Sequence, residues 1–350
     1  MKVLTAALAA IASALMFTAC IHRPLEEMGN THYIRIYIDD SIRNTTCRFY
    51  NDTLARPEFK LPQVVRVTLN DRQSGAQTAE SYLQHSGRDS LGYYLDGYII
   101  ADAGSYDLMV YNIGTETTNI RDNYNYNTAT AYTNPIQSQL YARIPQSVRA
   151  FSGSKIAYMP DHLFVAAHRQ VDIPYTHNID TLRGHDGSFF KATTLVKAYY
   201  MQVRVKGIRY VSTATALLSG MAGSSVLATR SMVETDSVRL YMEMDNYRAA
   251  DSVNTAYIYT TFNTFGKLPK ENTLLTLTFE FVTTDGRSQV ETINITDLFE
   301  TPMVRENQWI ILDKEIVIDP PPTPPGPGGG EGGFSPKVDE WEDIRTDIPI

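Results

Sequence analysis

Cysteine is nearly absent from these 350 residues: there are two, Cys20 and Cys47. At most one internal disulfide is available, so an apolar core rather than a cross-linked frame has to hold the fold. Basic charge is also scarce. Lys and Arg number 31 against 39 Asp and Glu, a net charge of −8. No basic run is dense enough to neutralise a stretch of phosphates, which argues against nucleic acid as a partner. Long hydrophobic runs are missing after residue 19, so no spanning helix of about 20 apolar residues is expected there. The patterns of metal and catalytic chemistry are missing too. His22, His32, His85, His162, His168, His177 and His185 fall in no His-Glu-x-x-His or Cys/His spacing. There is no Gly-x-Ser-x-Gly elbow. Gly220-Met221-Ala222-Gly223-Ser224 lacks the lysine of a phosphate-binding loop. The acidic pairs Glu26-Glu27 and Asp39-Asp40 are adjacent in sequence and read as solvated loops. No catalytic residue, metal site or cofactor is assigned, and a non-enzymatic protein is expected.

What is present begins at the N-terminus. Lys2 precedes an apolar run from Val3 to Phe17, followed by Thr18-Ala19-Cys20. The run is too short to span a bilayer and has the length of a secretory signal core. Small residues before a cysteine resemble the lipobox of signal peptidase II substrates. That resemblance implies cleavage after residue 19, acylation of the Cys20 thiol and attachment to the outer membrane through the lipid. Cys47 is then left alone, as a small buried hydrophobe. Residues 20–30 read as a tether. Glu26-Glu27 within it resemble the acidic surface-export signals of Bacteroidetes lipoproteins; a solvated linker is the alternative.

Period-2 alternation then dominates, as in half-buried strands. Ile34, Ile36 and Ile38 fall on one face, with Tyr33, Arg35 and Tyr37 on the other. Val65–Leu69, Gly97–Ile100 and Ser105–Asn112 follow, with Gly104 expected in a tight turn. In a second block, Met201, Val203 and Val205 alternate with Gln202, Arg204 and Lys206, which are expected to face solvent. Val238, Leu240, Met242 and Met244 share a face. Further runs are Tyr257–Phe265, Leu274–Thr283, Gln289–Ile295 and Trp309–Ile318. Asp285-Gly286 predicts a hairpin with a type I′ turn. Ala214–Met221 reads as a short helix or buried turn, Pro135–Ile144 as a short helix, and the Asn- and Tyr-rich stretch 119–134 as a long loop. Many short strands with little helical periodicity predict an all-β chain of two tandem antiparallel β-sandwiches, at 31–150 and 151–319, the second opening with a crossover.

Two local features remain. Tyr124, Tyr126 and Tyr132, interleaved with asparagines, either stack on sugars, as in a surface glycan-binding lipoprotein, or lie on a sheet as an ordinary loop. After residue 319 comes a Pro/Gly linker, 320–333, extended in its proline half and flexible in its glycine half. Beyond it, in the segment 334–350, Ile344, Thr346, Ile348 and Ile350 share one parity. They form a candidate donor strand for a partner's sheet edge; a self-docked terminus is the alternative.

The lipobox Cys20-Ile21-His22-Arg23-Pro24, the two β-rich blocks, the segment Thr260–Pro269 and the hinged acidic end Val338-Asp339-Glu340-Trp341 together resemble an uncharacterised group of Bacteroides lipoproteins. That group is akin to the fimbrillin-like and fimbrial anchor proteins of Bacteroidales. The resemblance implies transthyretin-like sandwiches, an outer-membrane lipid anchor, display at the cell surface, and fimbrial subunits as partners through strand addition. Polymerising relatives lose an N-terminal strand after a basic residue. This sequence has no such landmark at the end of its first strand, which favours an anchoring or adhesive role.

Overall fold

Alternating sequence becomes paired strand throughout a computed structural model of the chain, which describes residues 30–41, 46–49, 52–55, 60–144, 155–175, 181–244, 246–249, 254–270 and 273–322. The first sheet has eight strands. Their order is β5 (Gln77–Leu83), β4 (Val65–Asp71), β8 (Gly104–Asn112), β12 (Phe164–Ile173), β13 (Phe190–Thr194), β1 (Thr31–Ile38), β7 (Gly92–Ile100) and β6 (His85–Asp89). The sheet folds back on itself. Ser81 Oγ on β5 donates to Tyr98 O on β7 at 2.6 Å, and a Cβ on Gly97 would lie 3.0 Å from Leu83 Cδ2. Ile34, Ile36, Val65, Val67, Leu95, Leu108, Val110, Phe164 and Phe190 fill the interior.

A five-stranded sheet, β11 (Lys155–Ala157), β17 (Ser237–Glu243), β15 (Val211–Ala222), β20 (Thr276–Thr283) and β21 (Ser288–Asn294), faces a four-stranded one. The latter is β18 (Asn246–Ala249), β19 (Thr255–Thr264), β14 (Lys197–Lys206) and β22 (Trp309–Val317). Between them lies the second core, with Met201, Val203 and Val205 against Leu240, Met242, Phe279 and Phe281. The chain is all-β with two sandwiches, as the alternation predicts. A short hairpin, β2 (Thr46–Phe49) with β3 (Asp52–Ala55), is a separate two-stranded sheet and carries Cys47 in its backbone pairing.

Several expectations change. The stretch 119–134 is not a long loop. It contains β9 (Thr118–Arg121) and β10 (Thr130–Thr133), which pair with each other and with β16 (Ser224–Val226) in a small third sheet. Ala214–Met221 is neither helix nor turn but the body of β15, whose small side chains fit beneath the aromatic residues of β20. The helix expected in 135–144 is α1 (Ser138–Arg143); a second short helix, α2 (Pro302–Asn307), precedes β22. Gln202 is buried rather than solvent-facing, and its amide oxygen accepts from the Tyr200 hydroxyl at 2.7 Å. Gly104 opens β8 without a positive φ and lies against the Tyr106 ring, 3.1 Å from where its Cβ would stand. In the β20–β21 hairpin only Gly286 has a positive φ, 82°. Thr283 N donates to Arg287 O, and Gly286 N to Thr283 O. That is a three-residue loop ending in a left-handed glycine, not the two-residue type I′ turn.

Strand pairing also crosses residue 150. β12 and β13 complete the first sheet, where β13 runs parallel to β1, and the small sheet draws on both blocks. At the junction Met109, Tyr111, Leu163, Val165, Leu195 and Val196 meet Ala222, Leu227, Phe265 and Leu268 in a third apolar cluster.

Candidate functional site

The three candidate tyrosines are not brought onto one surface. Tyr126 is only 2% exposed and belongs to the junction cluster. Its N–H donates to Gly75 O at 2.8 Å, and the Arg169 guanidinium lies 4.4 Å from its ring centroid. Arg169 in turn pairs with the buried Asp107 carboxylate and donates to Asn127 at 2.9 Å. Tyr132 is half-buried beside Arg121. Tyr124 alone is well exposed, at 69%, with Arg66 beneath it at 5.5 Å. Buried Arg66 donates to Glu80 at 2.7 Å, Gln77 at 2.8 Å, Asn123 O at 3.2 Å and the Tyr111 hydroxyl. Buried Arg66 and exposed Arg169 thus pin this segment onto the outer face of β4 and β8. The arrangement is that of a cover on a sheet, and it withholds Tyr126 from any sugar.

The histidines are scattered. His85 Nδ1 lies 2.6 Å from Asp96 and His185 Nδ1 lies 3.0 Å from Asp172. Burial pushes the His162 and His168 imidazoles below their ordinary range, against a smaller opposing effect of Asp161 and Asp186. His32 is buried, and its ring nitrogens make no hydrogen bond. Among the described residues no group of three or more His, Cys, Asp or Glu is placed to hold a metal ion. None of their helices is long and apolar enough to cross a membrane. His22, His177, Cys20 and the candidate donor residues Ile344, Thr346, Ile348 and Ile350 lie outside the described residues.

The feature with functional meaning is where the chain enters and leaves. At one end of the first sheet, Asn30 O accepts from Ala101 N at 2.9 Å, and the Asn30 amide donates to Asp102. Thr31 is opposite Ile100, and Ile173 opposite Gly104, so the start of β1 and the end of β12 share this end. The junction lies at the other end of the same strands. There Asn112 accepts from Phe164 N at 2.6 Å, and Leu195 N donates to Leu163 O at 2.7 Å. β14 starts at the junction, next to Val196, and runs away from it until Lys206 stands beside Val317.

The chain leaves at that remote end, and side chains fix its direction. Gln289 Nε2 donates to Val317 O at 2.7 Å. Arg287 donates to Asp319 O at 3.2 Å and to Pro320 O at 3.1 Å. Arg287 is itself held by Asp285 at 2.7 Å. These residues close the open side between β21 and β22 and hold the start of the Pro/Gly linker against the sandwich. The spacing of Arg287 and Gln289 on one strand face is visible in the sequence; that both reach the backbone of 317–320 is not.

Comparison with known proteins adds kinship. Residues 60–243 match a family described as a domain of unknown function, DUF5119. The chain is 24% identical over 366 aligned residues to a Bacteroides ovatus protein named "Putative fimbrium anchoring subunit Fim4B", covering 97% of this chain and 96% of that one. Among solved structures, a "putative adhesin" of Bacteroides ovatus is similar in fold, with a TM-score of 0.56 at 20% identity over 87% of this chain and 98% of the other. The fimbrial anchor protein Mfa2 of Porphyromonas gingivalis aligns with a TM-score of 0.45 at 11% identity, over 82% and 90% of the two chains.

Proposed function

The chain belongs to the DUF5119 family, and we propose that it is a non-enzymatic, lipid-anchored outer-membrane protein that ties a fimbria-like assembly to the cell surface. The observation that carries this reading is the course of the chain. It arrives at one end of the first sandwich and leaves from the end of the second sandwich remote from the junction. A protein that bridges a membrane and an external assembly needs its two attachments at opposite ends. The full-length kinship with a protein named as a fimbrium anchoring subunit supports the same role. In this reading residues 1–19 are a signal peptide, Cys20 carries the acyl chains, and Ile344, Thr346, Ile348 and Ile350 form a strand that adds to a fimbrial subunit. The clamp of Arg287 and Gln289 fixes where residues 317–320 leave the sandwich.

The test uses cells that make the assembly. Replacing Cys20 by alanine is expected to release fimbriae into the medium while leaving their subunits intact. Removing residues 334–350 is expected to leave the protein on the membrane but uncouple it from fimbriae. Fimbriae that stay cell-bound with Cys20→Ala, as seen by electron microscopy of washed cells, would overturn the anchoring role.

A further inference from the structure

At the end of the first sandwich where the chain arrives, three large side chains stand in solvent: Tyr98 is 55% exposed, Ile100 71% and Tyr175 77%. They come from separate segments that the topology gathers. Tyr98 and Ile100 lie on the outer face of β7, opposite Tyr33 and Thr31 of β1, and the Tyr33 ring supports Tyr98 edge-on at 5.7 Å. Tyr175 follows Ile173, which pairs with Gly104 only a few residues beyond Ile100. The charged groups around them are the exposed Asp71, Asp102 and Asp172, with Arg72 donating to Ser105 at 3.3 Å and His185 beside Asp172 at 3.0 Å, so carboxylates outnumber guanidinium groups on this flank. Cys20 precedes Asn30 by ten residues, a length of chain that reaches at most about 35 Å when fully extended.

We propose that Tyr98, Ile100 and Tyr175 form a membrane-facing rim, which seats this end of the protein on the surface of a bilayer of neutral headgroups. The inference rests on the lipid-anchored reading above and goes beyond it, from attachment through a tether to a defined orientation. The tether length keeps the rim within reach of the surface to which Cys20 is fixed. Tyrosine rings and an aliphatic side chain suit the interfacial layer, where one end of the ring is wet and the other is not. The acidic residues flanking the rim oppose an anionic surface, so neutral headgroups are the chemistry that fits. Seating sets the sandwiches upright and turns residues 317–320 away from the membrane, since they lie at the end of the second sandwich remote from the junction.

The experiment uses the full acylated chain on phosphatidylcholine vesicles, with Cys47→Ala to leave no competing thiol. An environment-sensitive fluorophore is placed on Ile100→Cys in one preparation and on Val317→Cys in another. The emission of the label at position 100 is expected to shift to the blue and to rise about twofold or more on vesicles, as it does for groups entering the interface. The label at 317 is expected not to change. Phosphatidylglycerol added to the vesicles is expected to reduce the response at 100; an undiminished response would overturn the preference for neutral headgroups. Co-flotation of the chain with vesicles, with no change at 100 or with equal changes at both positions, would overturn the seating while leaving the lipid anchor intact. Mass spectrometry that finds Cys20 unacylated would overturn the anchor, and the seating with it.

Discussion

At the scale of residues, polar groups inside the first sandwich decide how the protein responds to acid. His168 stands edge-on to Phe190 at 5.0 Å, and burial lowers its pKa. His162 is shifted in the same direction for the same reason. A histidine with a depressed folded pKa binds protons less readily in the native state than in the unfolded chain. Stability is therefore complete above the unfolded value, about 6.5, and declines as pH falls from there towards the folded value. Wild-type protein is expected to lose thermal stability as pH falls below about 6.5, and His168→Phe is expected to lose less. Identical slopes of Tm against pH would show that His168 does not take part. Carboxylates act at lower pH with the complementary sign. A hydrogen bond from Arg66 holds Glu80 below the ordinary carboxylate range, and one from the Ser74 side chain does the same for Asp71. Their contribution is present above the unfolded pKa and is lost as pH falls through the folded one.

At the scale of elements, the bulge in β15 is a place where side-chain volume and backbone conformation act together. Between Leu218 and Met221 the register against β17 shifts. Gly220 there has φ of 79°, and its backbone oxygen accepts from Leu268 N at 3.1 Å. A Cβ at Gly220 would lie 2.7 Å from both Leu274 O and Leu275 Cδ2. Gly220→Ala therefore combines left-handed strain with a clash against backbone and is expected to cost about 2–4 kcal/mol in chemical denaturation. Gly286→Ala provides the comparison. Its φ is similar, at 82°, but nothing lies within 4 Å of the added carbon, so a loss of only about 1 kcal/mol is expected. Equal losses would show that the clash at the bulge is relieved by movement of β20. The glycine of the hairpin is legible in the sequence because turn chemistry is local. Gly220 is not, because its constraint comes from residues 273–275, the distant segment that leads into β20.

At the scale of the whole molecule, the third apolar cluster joins the two sandwiches. Phe265 and Leu268 of the second unit pack against Tyr111, Leu163 and Val165 of the first. Arg230, held at φ of 59°, donates to Val165 O at 2.6 Å and to Thr194 O at 3.2 Å, and so ties the β16 turn to the seam between β12 and β13. Phe265→Ala removes a buried ring from this contact and is expected to cost about 3–5 kcal/mol. The measurable sign of a broken junction is a single calorimetric transition that separates into two. A single transition lowered in temperature without separation would assign Phe265 to the second core alone.

The sequence by itself determined the all-β class, the inward faces of β1, β14 and β17, and the hairpin at Asp285-Gly286. Each of these is written in short-range periodicity or in local turn preference, which a strand expresses wherever it is placed. Only the tertiary structure decided that residues 119–134 contain two strands, since β9 and β10 are completed by β16, about a hundred residues downstream. It alone carried β12 and β13 back into the first sheet, buried Gln202 and Tyr126, and gathered Tyr98, Ile100 and Tyr175 at one end. These outcomes rest on pairing and burial between distant segments, and the pattern of any one segment holds no record of which neighbour it will meet.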